Sequence, residues 1–232
     1  CEVVSIHKDP DGTNINENCG AMFPTEMALK TMEEKADLGI ALDGDADRVV
    51  FSDENGNLID CDQILGVLAL NMYNQKQLKN NTVVGTIMTN IGFENFLNDN
   101  NINLKRVNVG DRYILDEMLN NNYNLGGEPS GHVIMSDHTK SGDGLLTAIK
   151  IISLLKKSGK KASEFLRPFS IIPYKIKNLK KINNYILETE SVKNSLKKIQ
   201  LDLKNKHNGR LLVRPSGTCL LYTSDAADDG LS

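Results

Sequence analysis

The feature that most constrains this chain is an acidic loop between two apolar runs, at residues 40–51, which read IALDGDADRVVF. The apolar runs predict two strands, so the loop joins consecutive strands. Alternation places the carboxylates of Asp43, Asp45 and Asp47 on one side of an extended loop. Three close negative charges repel one another unless a cation lies among them, and oxygen ligands favour a small, hard divalent ion. The loop therefore predicts a Mg²⁺ site with Arg48 directly beside it.

Two other interpretations of this loop are an acidic turn and a calcium-binding EF-hand. Asp and Gly are common turn formers, and an isolated pair of aspartates would favour the turn. The EF-hand needs a glycine at the sixth loop position, where this sequence has Arg48. Three aspartates in register, framed by apolar runs and followed by an arginine, favour the metal site.

The bulk composition argues against two classes of partner. A formal net charge of −3 gives no electrostatic basis for binding nucleic acid. No apolar run approaches the roughly 20 residues that a membrane-spanning helix needs. The 4 cysteines show neither metal-ligand spacing nor the density of a disulfide-rich domain, which suits a reducing compartment. We therefore expect a cytoplasmic protein that binds neither nucleic acid nor membranes.

Strand-like and helix-like segments alternate along most of the chain. Strands are predicted at residues 1–7, 38–42, 49–53, 83–88, 104–107, 133–135, 171–176 and 209–213, and helices at residues 25–35, 62–72, 93–98, 110–119, 143–157 and 189–200. Thr25 is a candidate N-cap of the first helix. This alternation predicts an α/β fold with a parallel sheet that has a mixed edge.

A second polar loop, at residues 126–132, reads GGEPSGH and is framed by glycines. Glu128 and Ser130 together offer the groups that hold vicinal hydroxyls of a sugar. His132 is suited to proton transfer or to binding a phosphate. A proline-containing turn with an incidental histidine is the alternative, and this loop taken alone favours it.

A third loop carries Arg214, Ser216, Gly217 and Thr218 directly after a predicted strand. A guanidinium group, two hydroxyls and exposed backbone N–H groups at a glycine are suited to a phosphate monoester. Taken together, the three loops predict phosphoryl chemistry on a sugar phosphate, without distinguishing transfer from hydrolysis.

The start of the predicted helix at 110–119 is a weaker candidate for binding substrate. It carries Gly110, Asp111 and Arg112, and a planar guanidinium in a Gly- and Asp-rich loop can bind an anion through two hydrogen bonds. A simple helix cap is the more economical interpretation of Asp111.

The ordered series of residues 43–48 (DGDADR), 127–132 (GEPSGH) and 213–218 (VRPSGT) resembles the metal, sugar and phosphate loops of the α-D-phosphohexomutases. The resemblance covers about residues 1–218. It implies an isomerase, an intramolecular phosphotransferase in which a phosphoserine gives its phosphoryl group to the sugar. A hexosamine 1,6-bisphosphate would be the intermediate, and it would return its other phosphate to the serine.

The resemblance also implies a role for each candidate residue. The implied ligands of one Mg²⁺ per active site are Asp43, Asp45 and Asp47, and the implied group beside the transferring phosphoryl group is Arg48. The implied ligands of the sugar hydroxyls are Glu128 and Ser130, with His132 nearby. The implied ligands of the non-reacting phosphate are Arg214, Ser216, Gly217 and Thr218. The small-molecule partner would be a sugar phosphate, and a homodimer is compatible with the family.

Three further stretches, residues 11–16 (DGTNIN), 109–113 (VGDRY) and 139–144 (TKSGDG), resemble the branch of that family that acts on glucosamine phosphates. The implied reaction interconverts glucosamine 6-phosphate and glucosamine 1-phosphate, on the way to UDP-N-acetylglucosamine. Mannose or glucose phosphates as substrates stay open as alternatives. A non-catalytic fragment that binds a sugar phosphate is the alternative from a different class.

The implied architecture is two mixed α/β domains of phosphohexomutase type, the first of them partial, followed by a truncated α+β C-terminal domain. The end of domain II, which contains the acidic metal loop at 43–48, would span residues 1–57. Domain III, which contains the sugar loop at 127–132, would span residues 58–166, and a partial domain IV would span residues 167–218. The family's phosphoserine lies in a Ser-His-Asn-Pro context that these residues lack, so we expect a fragment. Residues 219–232 depart from the family pattern, and we expect a non-native tail there.

Overall fold

A computed structural model describes residues 1–175, 177, 184–207 and 209–213. The chain divides into two compact units, Cys1–Ile172 and Pro173–Ser232. In the first unit, helices and two sheets form a mixed α/β fold, which confirms the predicted class. Within the described residues, no helix combines the length and apolarity needed to cross a membrane.

The acidic loop lies at one end of a three-stranded antiparallel sheet. Its strands, in spatial order, are β1 (Leu38–Leu42), β2 (Val49–Asp53) and β3 (Leu58–Ile59). Leu42 pairs with Val49, so the acidic loop is the direct connection of a hairpin whose register is fixed up to its last pair. The predicted strands at 38–42 and 49–53 are both confirmed.

The second sheet has four strands in the order β5-β4-β6-β7. Their bounds are Thr82–Thr86 for β4, Asn103–Val107 for β5, Leu125–Gly127 for β6 and Val133–Met135 for β7. β4 runs parallel to both β5 and β6, whereas β7 is antiparallel to β6. The sheet is therefore parallel with one antiparallel edge, as predicted.

Helices cover the sheets of the first unit. They are α1 (Thr25–Glu33), α2 (Cys61–Asn74), α3 (Ile91–Asp99), α4 (Asp111–Asn121), α5 (Gly144–Ser158) and α6 (Ala162–Phe165), with a 3₁₀ turn at Lys79–Asn81. Side-chain oxygens of Asp60, Asn90 and Asp143 cap α2, α3 and α5. In the second unit, the described part holds a 3₁₀ turn at Asn184–Glu188 and α7 (Glu190–His207).

Both sheets contribute to one hydrophobic core. Phe51 of β2 belongs to the same buried cluster as Leu65 of α2, Val83 of β4 and Ile151 of α5, and all four side chains are fully buried. Burying a large apolar side chain contributes about 1.5–3 kcal/mol. The hairpin that carries the acidic loop is therefore anchored to the second sheet by packing, not by chain connectivity alone.

Three predicted strands and two predicted caps are wrong. Residues 1–7, 171–175 and 209–213 form no strand, since none pairs with a described strand; Ile176 lies outside the described residues. Thr25 is the first residue of α1, and Pro24 occupies the cap position. Asp111 is likewise the first residue of α4, and its carboxylate accepts a hydrogen bond from the adjacent Arg112 N–H instead of capping the helix.

The turn after β2 depends on a buried carboxylate. Asp53 Oδ1 accepts hydrogen bonds from the N–H groups of Asn55 (2.9 Å) and Asn57 (3.0 Å), and Oδ2 lies 2.7 Å from Arg167 Nη1. Burial raises the pKa of Asp53, but these hydrogen bonds outweigh burial and hold the pKa below 3.8. The ionised carboxylate of Asp53 therefore stabilises the fold at pH values above its ordinary pKa of 3.8.

We expect Asp53→Asn to destabilise the chain at about pH 7 by about 1.5–3 kcal/mol, because an amide oxygen can replace Oδ1 but the anion that pairs with Arg167 is lost. A lowered folded-state pKa contributes stability that disappears as pH falls through it, so the difference should shrink below about pH 4. Urea unfolding at several pH values measures this, with exposed Asp99→Asn as the control. An unchanged difference in acid would contradict the assignment.

Candidate functional site

The acidic loop folds back on itself between β1 and β2. Asp43 Oδ1 accepts the backbone N–H of Arg48 at 3.1 Å, and Asp43 N–H faces the Arg48 carbonyl at 3.4 Å. Ala46 N–H donates to the Asp43 carbonyl at 3.2 Å, and Ala46 itself has a φ of 60°. A small side chain tolerates that left-handed conformation better than a branched one. The turn at Ala46 brings the flanking aspartates towards the same side.

The three aspartates form a carboxylate cluster that could hold a metal ion, and it is the one such group among the described residues. One carboxylate oxygen from each of Asp43, Asp45 and Asp47 lies within 4.8 Å of the others. Asp47 Oδ1 is buried and has no hydrogen-bond partner within the described part of the chain. An all-oxygen, anionic donor set with an unsatisfied buried oxygen suits Mg²⁺, which prefers carboxylates and water. The residues present therefore fit the predicted cation.

Crowding of the carboxylates is visible in the protonation of Asp47. Burial, a hydrogen bond with Asp43 and the charges of Asp43 and Asp45 raise the pKa of Asp47 to about 6, although His132 opposes the rise. A raised carboxyl pKa means that the folded loop disfavours the third negative charge. A divalent cation at the cluster would remove that penalty.

Arg48 lies within the cluster and partly balances its charge. Its Nε is 3.8 Å from Asp43 Oδ2 and 3.9 Å from Asp47 Oδ1, and 19% of its side chain is exposed. These separations are too long for hydrogen bonds, and Nε has no such partner among the described residues. The guanidinium is thus attracted to the carboxylates, and its buried Nε makes no hydrogen bond within the described part of the chain.

The sugar loop, residues 128–132, connects β6 to β7. Glu128 N–H donates to the His132 carbonyl at 3.0 Å, and Gly131 N–H donates to the Glu128 carbonyl at 3.2 Å, which closes a tight turn. Ser130 Oγ donates to Glu128 Oε1 at 2.8 Å. The two side chains predicted to grip hydroxyls therefore lie side by side.

The acidic loop and the sugar loop meet directly. Arg48 and His132 form an antiparallel bridge, and Val49 N–H donates to the Gly131 carbonyl at 3.1 Å. His132 Nδ1 is 3.1 Å from Asp47 Oδ2, and the imidazole is almost fully buried. The structure therefore brings two loops that are distant in sequence into one site, through both backbone and side chains.

A third segment, at the start of α5, also holds the acidic loop. Gly144 N–H donates to the Ala46 carbonyl at 2.8 Å, and Asp143 N–H faces the Val133 carbonyl at 3.3 Å. Asp143 also caps α5 by accepting the Leu146 N–H at 2.8 Å. Sequence reasoning noted residues 139–144 only as a family motif and missed this contact role. The sequence signal available for this role was Asp143, a residue type that commonly caps helices and that stands at the start of the predicted helix at 143–157.

The remaining candidates do not join this cluster within the described residues. At the start of α4, Arg112 is 88% exposed and pairs weakly with Asp116 at 3.8 Å, one turn further along the same helix. Gly110 occupies the N-cap position of that helix with a φ of 127°. Arg214, Ser216, Gly217 and Thr218 lie outside the described residues.

Known proteins resemble this chain in sequence and in fold. Residues 60–170 match the family model described as phosphoglucomutase/phosphomannomutase, alpha/beta/alpha domain III. The chain is 44% identical over 94% of its length to a phosphoglucosamine mutase of Rhizobium johnstonii, covering 48% of that protein. It is 46% identical, at the same coverage of both chains, to a phosphoglucosamine mutase of Chelativorans sp. (strain BNC1).

The fold agrees with these sequence matches. The crystal structure of Aspergillus fumigatus N-acetylphosphoglucosamine mutase in complex with GlcNAc-6P and magnesium aligns with a TM-score of 0.64 and 18% identity, over 88% of this chain and 51% of that one. Residues 60–170 thus match a phosphoglucomutase/phosphomannomutase domain, and the fold of the chain resembles that of a member of the α-D-phosphohexomutase superfamily, with a TM-score of 0.62. Within that superfamily, the proteins it matches at 44–46% identity are phosphoglucosamine mutases. The chain spans about half the length of these relatives.

Removing one charge from the cluster should stabilise the chain when no metal is bound. We expect Asp45→Asn to raise the Tm in EDTA at low ionic strength, because the exposed Asp45 carboxylate repels its neighbours and holds no hydrogen bond of the loop. The gain should shrink in about 1 M salt, where the Debye length is about 3 Å. Exposed Asp37→Asn is the control. If the Tm of Asp45→Asn is unchanged or lowered both at low ionic strength and at about 1 M salt, the electrostatic account is contradicted.

Proposed function

We propose that this chain forms part of a phosphoglucosamine mutase, which interconverts glucosamine 6-phosphate and glucosamine 1-phosphate. The observation that carries this proposal is the direct contact of the acidic loop with the glycine-framed sugar loop through Asp47 and His132. The identity to phosphoglucosamine mutases over 94% of the chain supports the amino-sugar substrate. The intermediate would be a hexosamine 1,6-bisphosphate, formed with a phosphoserine.

The acidic loop would supply the metal chemistry. Asp43, Asp45 and Asp47 would hold one Mg²⁺, which when bound neutralises negative charge on a transferring phosphoryl group. Arg48 would bind an oxygen of that group, because its guanidinium lies beside the cluster and 19% of its side chain is exposed. Both the cation and the arginine act by electrostatic stabilisation, which dominates phosphoryl transfer.

The sugar loop would orient the substrate. Glu128 accepts and Ser130 donates hydrogen bonds, and their present mutual bond shows that the two groups can engage adjoining partners. Two neighbouring hydroxyls of a hexosamine phosphate offer both a donor and an acceptor at matching spacing. His132 lies at the end of the same loop against Asp47.

The other assignments extend the proposal to the rest of the chain. The group that would hold the non-reacting phosphate is Arg214, Ser216, Gly217 and Thr218, with Gly110, Asp111 and Arg112 as further substrate ligands. Residues 1–57, 58–166 and 167–218 would belong to domains II, III and IV. The supporting observation for domain III is the family match at residues 60–170.

The metal assignment predicts specific, carboxylate-dependent binding. We expect the chain to bind Mn²⁺ and Mg²⁺, and a variant with Asp→Asn at positions 43, 45 and 47 to bind at least about 100-fold more weakly, because even changes beside metal ligands cost about 10–100-fold. Isothermal titration measures both, with Asp99→Asn as a matched change at an exposed acid. Unchanged affinity in the triple variant would rule out this site.

The substrate assignment is tested on the complete gene product that contains this chain. We expect kcat/KM to be highest for glucosamine 6-phosphate. Glu128→Gln should lower kcat/KM by about 10–100-fold, because it removes a hydrogen bond to a charged group. A coupled assay with catalytic hexosamine bisphosphate measures this, with Glu164→Gln on exposed α6 as the control. Preference for mannose or glucose phosphate would assign another branch, and binding without turnover would favour a sugar-phosphate-binding protein.

A further inference from the structure

The imidazole of His132 is enclosed on all the sides that the structure describes. Its side chain is 4% exposed, Nδ1 lies 3.1 Å from Asp47 Oδ2, and Nε2 is buried with no hydrogen-bond partner in the described part of the chain. The proximity of Nδ1 to the Asp47 carboxylate ties the ring electrostatically to the acidic loop. The ring therefore contacts the acidic loop, while its other nitrogen faces packed protein.

Gly142 forms the wall behind this ring. A Cβ atom at Gly142 would overlap His132 Cε1 and would lie 2.5 Å from Nε2 and 2.6 Å from Nδ1. The backbone of Gly142 does not have a positive φ, so an L-amino acid could adopt its conformation without strain. Glycine is thus required at this position by the space that the imidazole occupies, not by the turn.

The backbone beside this wall has little freedom to retreat. Gly144 N–H is bound to the Ala46 carbonyl at 2.8 Å, and Asp143 N–H faces the Val133 carbonyl at 3.3 Å. Both contacts, and the cap that begins α5, would have to break before the segment could move away. A side chain added behind the ring should therefore displace His132, which is the less constrained partner.

We infer that Gly142 is a positioning residue for the metal loop. Its missing side chain seats the His132 imidazole, and the imidazole holds one carboxylate oxygen of Asp47 so that the other faces the cluster. The inference rests on the proposed metal site and adds to it a residue that touches neither metal nor substrate. On this account His132 acts on the acidic loop through Asp47.

The test is a double-mutant cycle on Mn²⁺ affinity, measured by titration of the full 232-residue chain. Gly142→Ala should weaken binding about tenfold, which is 1.4 kcal/mol. His132→Asn should weaken it only about two- to threefold, because its shorter amide can still donate to Asp47. The double variant should bind no worse than His132→Asn, since the added methyl then has room. Ser141→Ala, at the exposed neighbouring position, is the control.

Additive losses in the cycle, or wild-type affinity in Gly142→Ala, would overturn the inference. If Gly142→Ala alone fails to fold, the double variant should recover both folding and binding; an unfolded double variant also overturns it.

A second measurement separates this inference from the proposed metal site. The chain has 4 histidines, so ¹⁵N spectra of its labelled imidazoles can be assigned by single substitutions. We expect a protonated His132 Nδ1 whose resonance shifts in both Gly142→Ala and Asp47→Asn, with or without metal. If the wild type binds no Mn²⁺ but these shifts appear, only the metal site is wrong. If neither substitution moves the resonance, the positioning role is wrong.

Discussion

Repulsion among three carboxylates is the constraint on which the rest of this structure depends. Asp43, Asp45 and Asp47 place oxygens within 4.8 Å of one another, and burial together with the neighbouring carboxylates raises the pKa of Asp47. An isolated hairpin could relieve that repulsion by opening its loop. Here the loop is held closed, because Leu42 pairs with Val49 at its base and Phe51 of β2 is anchored in the shared core. The fold therefore keeps an unfavourable cluster that a cation would make favourable.

Long-range packing supplies the free energy that holds the cluster together. The hairpin strand β2 buries Phe51 in the core shared with α2, β4 and α5, so the hairpin is fixed relative to the second sheet. That placement lets Arg48 bridge to His132 and lets Gly144 bind the Ala46 carbonyl. Neither contact is local in sequence. Substitutions in the shared core should consequently affect the site through its geometry as well as through stability.

The sequence was informative where local pattern and tertiary environment agree. The strands at 38–42 and 49–53 are apolar runs on either side of the acidic loop, and their predicted bounds were correct. Residues 1–7 have comparable apolar content but pair with none of the described strands, and exposed Val3 shows that β propensity alone does not make a strand. The role of Gly142 could not be read from sequence, because it depends on where His132 packs.

On the proposed function, the sugar loop would be preorganised before its ligand binds. Ser130 donates to Glu128, so the donor of one and an acceptor of the other are already satisfied. A vicinal diol that replaces this bond supplies one acceptor and one donor, and the number of hydrogen bonds does not fall. A sugar with only one hydroxyl at that position would leave either Glu128 or Ser130 unpaired as water is excluded. Discrimination between the two sugars then comes from the unpaired group, because leaving a buried polar group without a partner costs more free energy than a hydrogen bond contributes.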